Sequence, residues 1–102
     1  MNLIDLAGSE NSKDSGVVGV HMQECNMINK SLMALRKVFK AMKEKKLVPF
    51  KESTLTYFLN KYLTKKNSKA LMIVNVSPQT SNYQETYNSL LFAKDVNQCI
   101  LK

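Results

Sequence analysis

Seven residues, Ala70-Leu71-Met72-Ile73-Val74-Asn75-Val76, set the tightest limit on what this chain can become. All but Asn75 are apolar, and they do not alternate with polar partners. A strand with one wet face alternates with period two. An unbroken apolar run instead fits a strand covered on both faces, as in a parallel sheet with helices on either side. Ser77-Pro78 ends the run, because proline cannot donate to a sheet ladder. A shorter run, Asn2-Leu3-Ile4-Asp5, closes on an acid and reads as the end of a second buried strand.

Helical patterns lie between and after these runs. Ile28, Leu32, Leu35, Phe39 and Met42 recur at alternating steps of four and three, which predicts one apolar face on a helix over about 23–43. Lys43-Glu44-Lys45-Lys46 and then Pro49 close it. Ser53, whose hydroxyl suits the free amides of a helix start, opens a second helix over about 53–63 carrying Leu55, Leu59, Tyr62 and Leu63. Asn82 with Glu85 three residues on has capping-box spacing. It heads a last helix over about 82–100, with Tyr83, Tyr87, Leu90, Ala93, Val96 and Ile100 as its apolar stripe. Gly8, Gly16 and Gly19, the only glycines, all fall between Leu6 and Val20. Residues 11–22 therefore read as a long loop, a feature that is usually functional or disordered inside a small domain. The order strand, long loop, two helices, strand, helix favours an α/β fold.

Charge narrows the partner. The formal net charge is +7, but Lys30 to Lys69 alone hold twelve basic residues against two acids, while the rest of the chain holds three lysines and six acids. Such a cationic stretch attracts a polyanion. Arg36 is the only arginine. Base readout favours arginine's bidentate fork, so no specific nucleic-acid recognition is expected. No apolar run approaches the ~20 residues of a membrane-spanning helix. The N-terminal residues lack the basic and long apolar segments of a secretory signal. No membrane role is therefore expected. Cys25 and Cys99 have no metal-ligand spacing and read as reduced thiols of a cytoplasmic protein. His21 stands alone. Tyr57, Tyr62, Tyr83 and Tyr87 read as packing or rim residues.

An acid at a strand end with glycine three residues later, as in Asp5-Leu6-Ala7-Gly8, fits the second acidic motif of a P-loop NTPase. The full string Asp5-Leu6-Ala7-Gly8-Ser9-Glu10 resembles the switch II signature of kinesin motor domains. Further blocks follow in the same order as in that family. Ile28-Asn29-Lys30-Ser31-Leu32 resembles the start of the switch II helix, and Val48-Pro49-Phe50-Lys51-Glu52-Ser53-Thr54-Leu55-Thr56 resembles the VPYRDSKLT element. Leu71 to Pro78 resembles the last strand, and Asn82-Tyr83-Gln84-Glu85-Thr86 through Ser89-Leu90-Leu91-Phe92-Ala93 resembles the final motor helix. Val96-Asn97-Gln98-Cys99 leans faintly towards the C-terminal-motor, minus-end-directed class. The family's usual arginines are replaced by Asn11, Lys51 and Leu91, and the lysine of SKLT by Thr54.

The resemblance implies the C-terminal portion of a P-loop NTPase kinesin motor fold, from switch II (5–10) to the last helix, with the last strand at 70–76. It implies that Asp5 holds a magnesium-bound water, that the Gly8 amide senses the γ-phosphate, and that Glu10 pairs with a switch I arginine. ATP and Mg²⁺ are thus the cofactors of a complete motor. Microtubules are the implied partner, with Lys30, Lys37, Lys40, Lys43, Lys45, Lys46 and Lys51 facing the track, on the cytoplasmic microtubule cytoskeleton. Neither a phosphate loop, with glycines five apart before Lys and Ser/Thr, nor the switch I string NxxSSRSH occurs in these residues. The expectation is that this chain alone binds no cofactor and hydrolyses no ATP. The family also places the phosphate-loop strand between the two strands present here, so the remaining motor portion or another chain is a second expected partner. Two alternatives stay open: a non-catalytic microtubule-binding or motor-partner protein, and a general lysine-rich polyanion binder.

Overall fold

Gly19 sits at φ 70°, ψ −132°, backbone that glycine adopts readily and side-chain-bearing residues avoid. There the chain turns into helix α1, Val20–Lys43, with the amides of Met22 and Gln23 donating to the Gly19 carbonyl. The computed structural model describes residues 1–9 and 18–100. Within them α1 is followed by a 3-10 turn at Phe50–Glu52, helix α2 at Thr54–Leu63, a second 3-10 turn at Thr80–Asn82 and helix α3 at Tyr83–Ile100. Residues 20–22, expected in the long loop, are helical because nothing after Gly19 interrupts the first turn. Glu10 and loop residues 11–17 lie outside the described residues.

The end of α1 is closed by its own backbone. Lys45 takes φ 55°, its amide donates to Met42, and the Lys46 amide donates to Ala41. This is a Schellman closure that satisfies two carbonyls left open at the helix end. Pro49 then has φ −83°, ψ 62°, and the Phe50 amide reaches the Val48 carbonyl at 3.0 Å, an inverse γ-turn. Ser53 caps α2 in a reciprocal box with Thr56. Thr56 is fully buried, and its hydroxyl lies 2.8 Å from the Phe50 carbonyl and 3.0 Å from that of Ser53. A side chain that sequence patterning treats as polar surface therefore ties the 3-10 turn to α2 from the inside.

Helix α1 is the element both other helices pack against, and α2 and α3 make no close backbone approach to each other among the described residues. Its buried face is Ala34, Leu35, Val38 and Phe39. Leu35 and Phe39 join Leu59 of α2 and Val96 of α3 in one cluster, flanked by Leu6, Met42, Leu55, Leu63, Met72, Phe92 and Cys99. The face is wider than the predicted stripe, because packing on two sides recruits Ala34 and Val38. Ile28, near the N-terminal end of that stripe, is exposed. The seam with α3 is specific. Phe39 and Phe92 meet edge to face at 5.8 Å, the Cys99 thiol donates to the Phe39 carbonyl at 2.9 Å, and Lys43 pairs with Asp95 at 2.7 Å.

Two expectations need correction. On α3 the face turned to α1 carries Phe92, Val96 and Cys99, whereas Tyr83, Tyr87 and Leu90 of the predicted stripe are exposed. The Ile100 side chain lies outside the described residues. Apolar spacing names a helix, but only the position of α1 decides which flank is buried. Second, neither predicted strand forms: residues 2–5 and 70–76 carry no regular structure, and the described residues contain no strand. A strand exists only when a neighbour completes its ladder, and no backbone hydrogen bond links these two runs. Met72 and Val74 are half-buried, while Leu71 and Ile73 face solvent. One face of the apolar run is covered and the other is bare.

Leu35 is 1% exposed and Ile73 80% exposed. Leu35→Ala is therefore expected to cost about 2–5 kcal/mol. Ile73→Ala should stay within about 0.5 kcal/mol. Urea titration followed by circular dichroism measures both. An equal loss at Ile73 would mean that the outer face of the run is buried in solution.

Candidate functional site

Two surfaces carry the residues singled out from the sequence. The first is an open cleft of about 490 Å³ between Leu6-Ala7-Gly8-Ser9 and the stretch from Met72 to Ser77. Its floor includes Leu32 and Arg36 of α1 and Glu85, Ser89 and Phe92 of α3. One wall, residues 72–77, takes in most of the apolar run that lacks a ladder partner, and the other, residues 6–9, directly follows the first run. One wall is sewn to α3. The Thr86 hydroxyl donates to the Ser77 carbonyl at 3.0 Å, and the Asn82 side-chain amide donates to the Ser77 hydroxyl and to the side-chain oxygen Oε1 of Gln79.

Gly8 lines this cleft, and Asp5 lies exposed just outside it. Glu10 is not among the described residues. The lining offers one cation, Arg36, and one carboxylate, Glu85. Holding a nucleoside triphosphate requires a glycine-rich amide cradle, a lysine on the phosphates and a hydroxyl for magnesium. The cleft residues do not make that set. No group of three or more metal-ligating side chains occurs among the described residues.

The second surface is cationic and follows α1 into the turn before α2. Seven lysines were expected to act there together, and they divide into two groups. Lys37 is 2.9 Å from Glu52, Lys43 is 2.7 Å from Asp95, and Lys46 is 2.7 Å from Glu44. Two of the three join elements: Lys37 links α1 to the first 3-10 turn and Lys43 links α1 to α3, while Lys46 pairs with its near neighbour at the corner. Lys30, Lys40, Lys45 and Lys51 are exposed and have no ion-pair partner among the described residues. The Glu44 carboxyl is held below its ordinary value, first by the hydrogen bond from Lys46, then by the charge of Lys46, with Lys40 and Lys43 adding to the effect. That contribution is present above the ordinary value of 4.5 and is lost as pH falls through the lowered folded value. The pair lies at the surface, so solvent screens it.

Lys45 stands out because of its backbone. Position C′ of a Schellman closure normally holds glycine, since a side chain in the left-handed region is strained. Here the strained position carries a lysine, projected from the corner after α1. Sequence reasoning also missed an arrangement on α2. The Lys61 ammonium lies 5.2 Å from the Phe58 ring centre and 4.8 Å from that of Tyr62. The Phe58-x-x-Lys61-Tyr62 spacing was the available signal, since residues three and four apart meet on a helix.

Comparison with known proteins agrees in sequence and in shape. The kinesin motor domain family model matches residues 1–99. Kinesin-related protein 2 of Dictyostelium discoideum is 46% identical over 102 residues, covering 99% of this chain and 13% of that protein. Kinesin-like protein KAR3 of Saccharomyces cerevisiae is 48% identical over 101 residues, covering 95% of this chain and 14% of its own length. Among solved structures, a microtubule complex of a KIF14 dimer with AMP-PNP aligns at TM-score 0.85 and 40% identity, over 92% of this chain and 27% of that one. A C-terminal motor of Kar3Vik1 aligns at TM-score 0.74 and 49% identity, over 91% and 25%. The chain thus spans about an eighth of the length of these curated relatives.

Lys45→Gly removes the left-handed strain and is expected to raise stability by about 0.5–1 kcal/mol, read from the urea midpoint. A loss of stability on that substitution would show that the lysine side chain itself anchors the corner.

Proposed function

Because the chain belongs to the kinesin motor domain family, we propose that it supplies the track-facing part of a microtubule-based motor of the C-terminal-motor class. The observation that carries this reading is the division of the lysines. Lys37, Lys43 and Lys46 are engaged within the chain, whereas Lys30, Lys40, Lys45 and Lys51 leave their charges free on one helix and the turns that follow it. Free ammonium groups on a helix locked from behind suit a broad acidic surface. They give long-range attraction that salt screens over about 10 Å at ordinary ionic strength.

The same helix gives a route for the motion. A shift of α1 on the track moves Phe39 and Lys43, and through Phe92, Cys99 and Asp95 that shift reaches α3. In a complete motor, ATP with Mg²⁺ supplies the energy. Asp5, Gly8 and Glu10 would then form the switch II side of the nucleotide site, with Asp5 reaching the metal through water. The described residues that line the cleft do not compose a triphosphate site, and the part proposed for this chain is to bind the track and to pass on displacement. The cleft between residues 6–9 and 72–77 suits the remaining motor portion, or another chain, as a second partner. The setting is the cytoplasmic microtubule cytoskeleton.

Co-sedimentation of the full 102-residue chain with microtubules tests the reading. Lys40→Glu and Lys45→Glu are each expected to weaken binding by at least about 1 kcal/mol, roughly five-fold in Kd. Lys94→Glu, an equal charge change on α3, should have less than a two-fold effect. Equal losses at all three positions, or equal affinity for double-stranded DNA, would replace this reading with the general polyanion binder. Lys43→Glu is unsuitable as a probe, because it breaks the ion pair to Asp95. A microtubule-stimulated ATPase from the chain alone would overturn the assignment of chemistry to the complete motor.

A further inference from the structure

One hydroxyl between α2 and the apolar run has surroundings that set it apart. Ser68 has lysines at the second and third positions before it, Lys66 and Lys65, and Lys69 directly after it. No other serine or threonine of the sequence has basic residues at both of those preceding positions. Charge at fixed offsets from an acceptor hydroxyl is how serine/threonine kinases discriminate among substrates.

The structure adds what spacing cannot show. Thr64 to Leu71 are all exposed, and residues 68–79 carry no regular structure. A kinase has to bring the acceptor oxygen in line with a γ-phosphorus, which requires a hydroxyl that few native bonds hold. Ser68 meets that demand. Its amide closes a turn by donating to the Lys65 carbonyl at 3.0 Å. Asn67 within that turn is left-handed at φ 62°, a conformation that asparagine tolerates. The Ser68 hydroxyl lies 3.5 Å from the Leu63 carbonyl, beyond the about 2.5–3.0 Å of a sound O–H···O bond. Competing hydroxyls are better held. That of Thr64 donates to the Asn60 carbonyl at 2.7 Å, and that of Ser53 belongs to the capping box of α2. Ser77 is half-buried, and its hydroxyl accepts from the Gln79 amide and the Asn82 side chain.

We propose that Ser68 is a phosphorylation site for a serine/threonine kinase directed by basic residues. The Ser68 oxygen attacks the γ-phosphorus of ATP held by the kinase. Its proton passes to the kinase's catalytic carboxylate, and the bond from the γ-phosphorus to the bridging oxygen breaks to release ADP. The phosphate carries about −1.5 to −2 charge near neutral pH. Set among Lys65, Lys66 and Lys69, it cancels most of the positive charge at the corner between α2 and the apolar run. The inference uses none of Lys30, Lys40, Lys45 or Lys51, so it stands or falls separately from the function proposed above.

The test is incubation of the full chain with ATP, Mg²⁺ and the catalytic fragment of protein kinase C, with sites mapped by tandem mass spectrometry. The first phosphate is expected on Ser68, at an initial rate about ten-fold above that of any other hydroxyl. Ser68→Ala should lower early incorporation about ten-fold, and Ser68→Thr should restore at least about half of it. Lys65→Met combined with Lys66→Met should slow labelling of Ser68 about five-fold or more, while Lys94→Met, a charge loss elsewhere, changes it less than about two-fold. Circular dichroism confirms that each variant keeps its helices, which the exposed position of Ser68 favours. Phosphate arriving first on Thr64 or Ser53, or undiminished incorporation in Ser68→Ala, would overturn the proposal. Equal slowing by Lys94→Met would overturn it as well, because bulk charge rather than position would then select the hydroxyl.

Discussion

Four side chains on two turns of α1 hold the described structure together. Ala34, Leu35, Val38 and Phe39 are each no more than 4% exposed. Burying the three larger ones contributes about 1.5–3 kcal/mol apiece. Helices α2 and α3 meet this face from different sides and depend on it for their relative position, since they make no close backbone approach to one another among the described residues. Even the polar links radiate from α1: Lys37 to Glu52, Lys43 to Asp95, and the Phe39 carbonyl to Cys99. A rearrangement of α1 is therefore felt by both partners at once, which is the property a lever requires.

The same arrangement leaves much apolar surface uncovered. Leu3, Leu71 and Ile73 are more than three-quarters exposed, and Tyr83, Tyr87 and Leu90 line the outward side of α3. Contiguous exposed apolar surface on a folded chain marks a place where something else packs. Ile73 of that surface lines the open cleft beside Gly8, and the run to which it belongs has the composition of a sheet strand without the ladder. The helical half of the domain stands as one packed layer with one face of the sheet material resting on it.

Much of the helical part was legible in the residues. The four-three spacing from Ile28 to Met42 named α1, and Ser53 named the start of α2, because capping and periodicity are properties of the local chain. The start of α1 at Val20 was less legible: only the backbone of Gly19 reveals where the loop stops. The lysines were legible as a cluster but not as two groups. Composition counts charges and cannot see that Asp95, fifty-two residues away, holds Lys43. Thr56 was invisible as a core residue, since a hydroxyl is buried without loss only where carbonyls such as that of Phe50 wait for it.

Kinship was written in the sequence alone, in Asp5 to Glu10, in Ile28 to Leu32 and in the order of the blocks that follow. So were the three helices, the excess of lysine and the demand of residues 70–76 for cover on two faces. Only the tertiary structure decided which flank of α3 is buried, which lysines remain free, and that the apolar run stays without a ladder. The reason is physical. Periodicity, capping and net charge are set by neighbours within a few residues, whereas burial, ion pairing and strand formation each need a partner that the fold must bring from elsewhere.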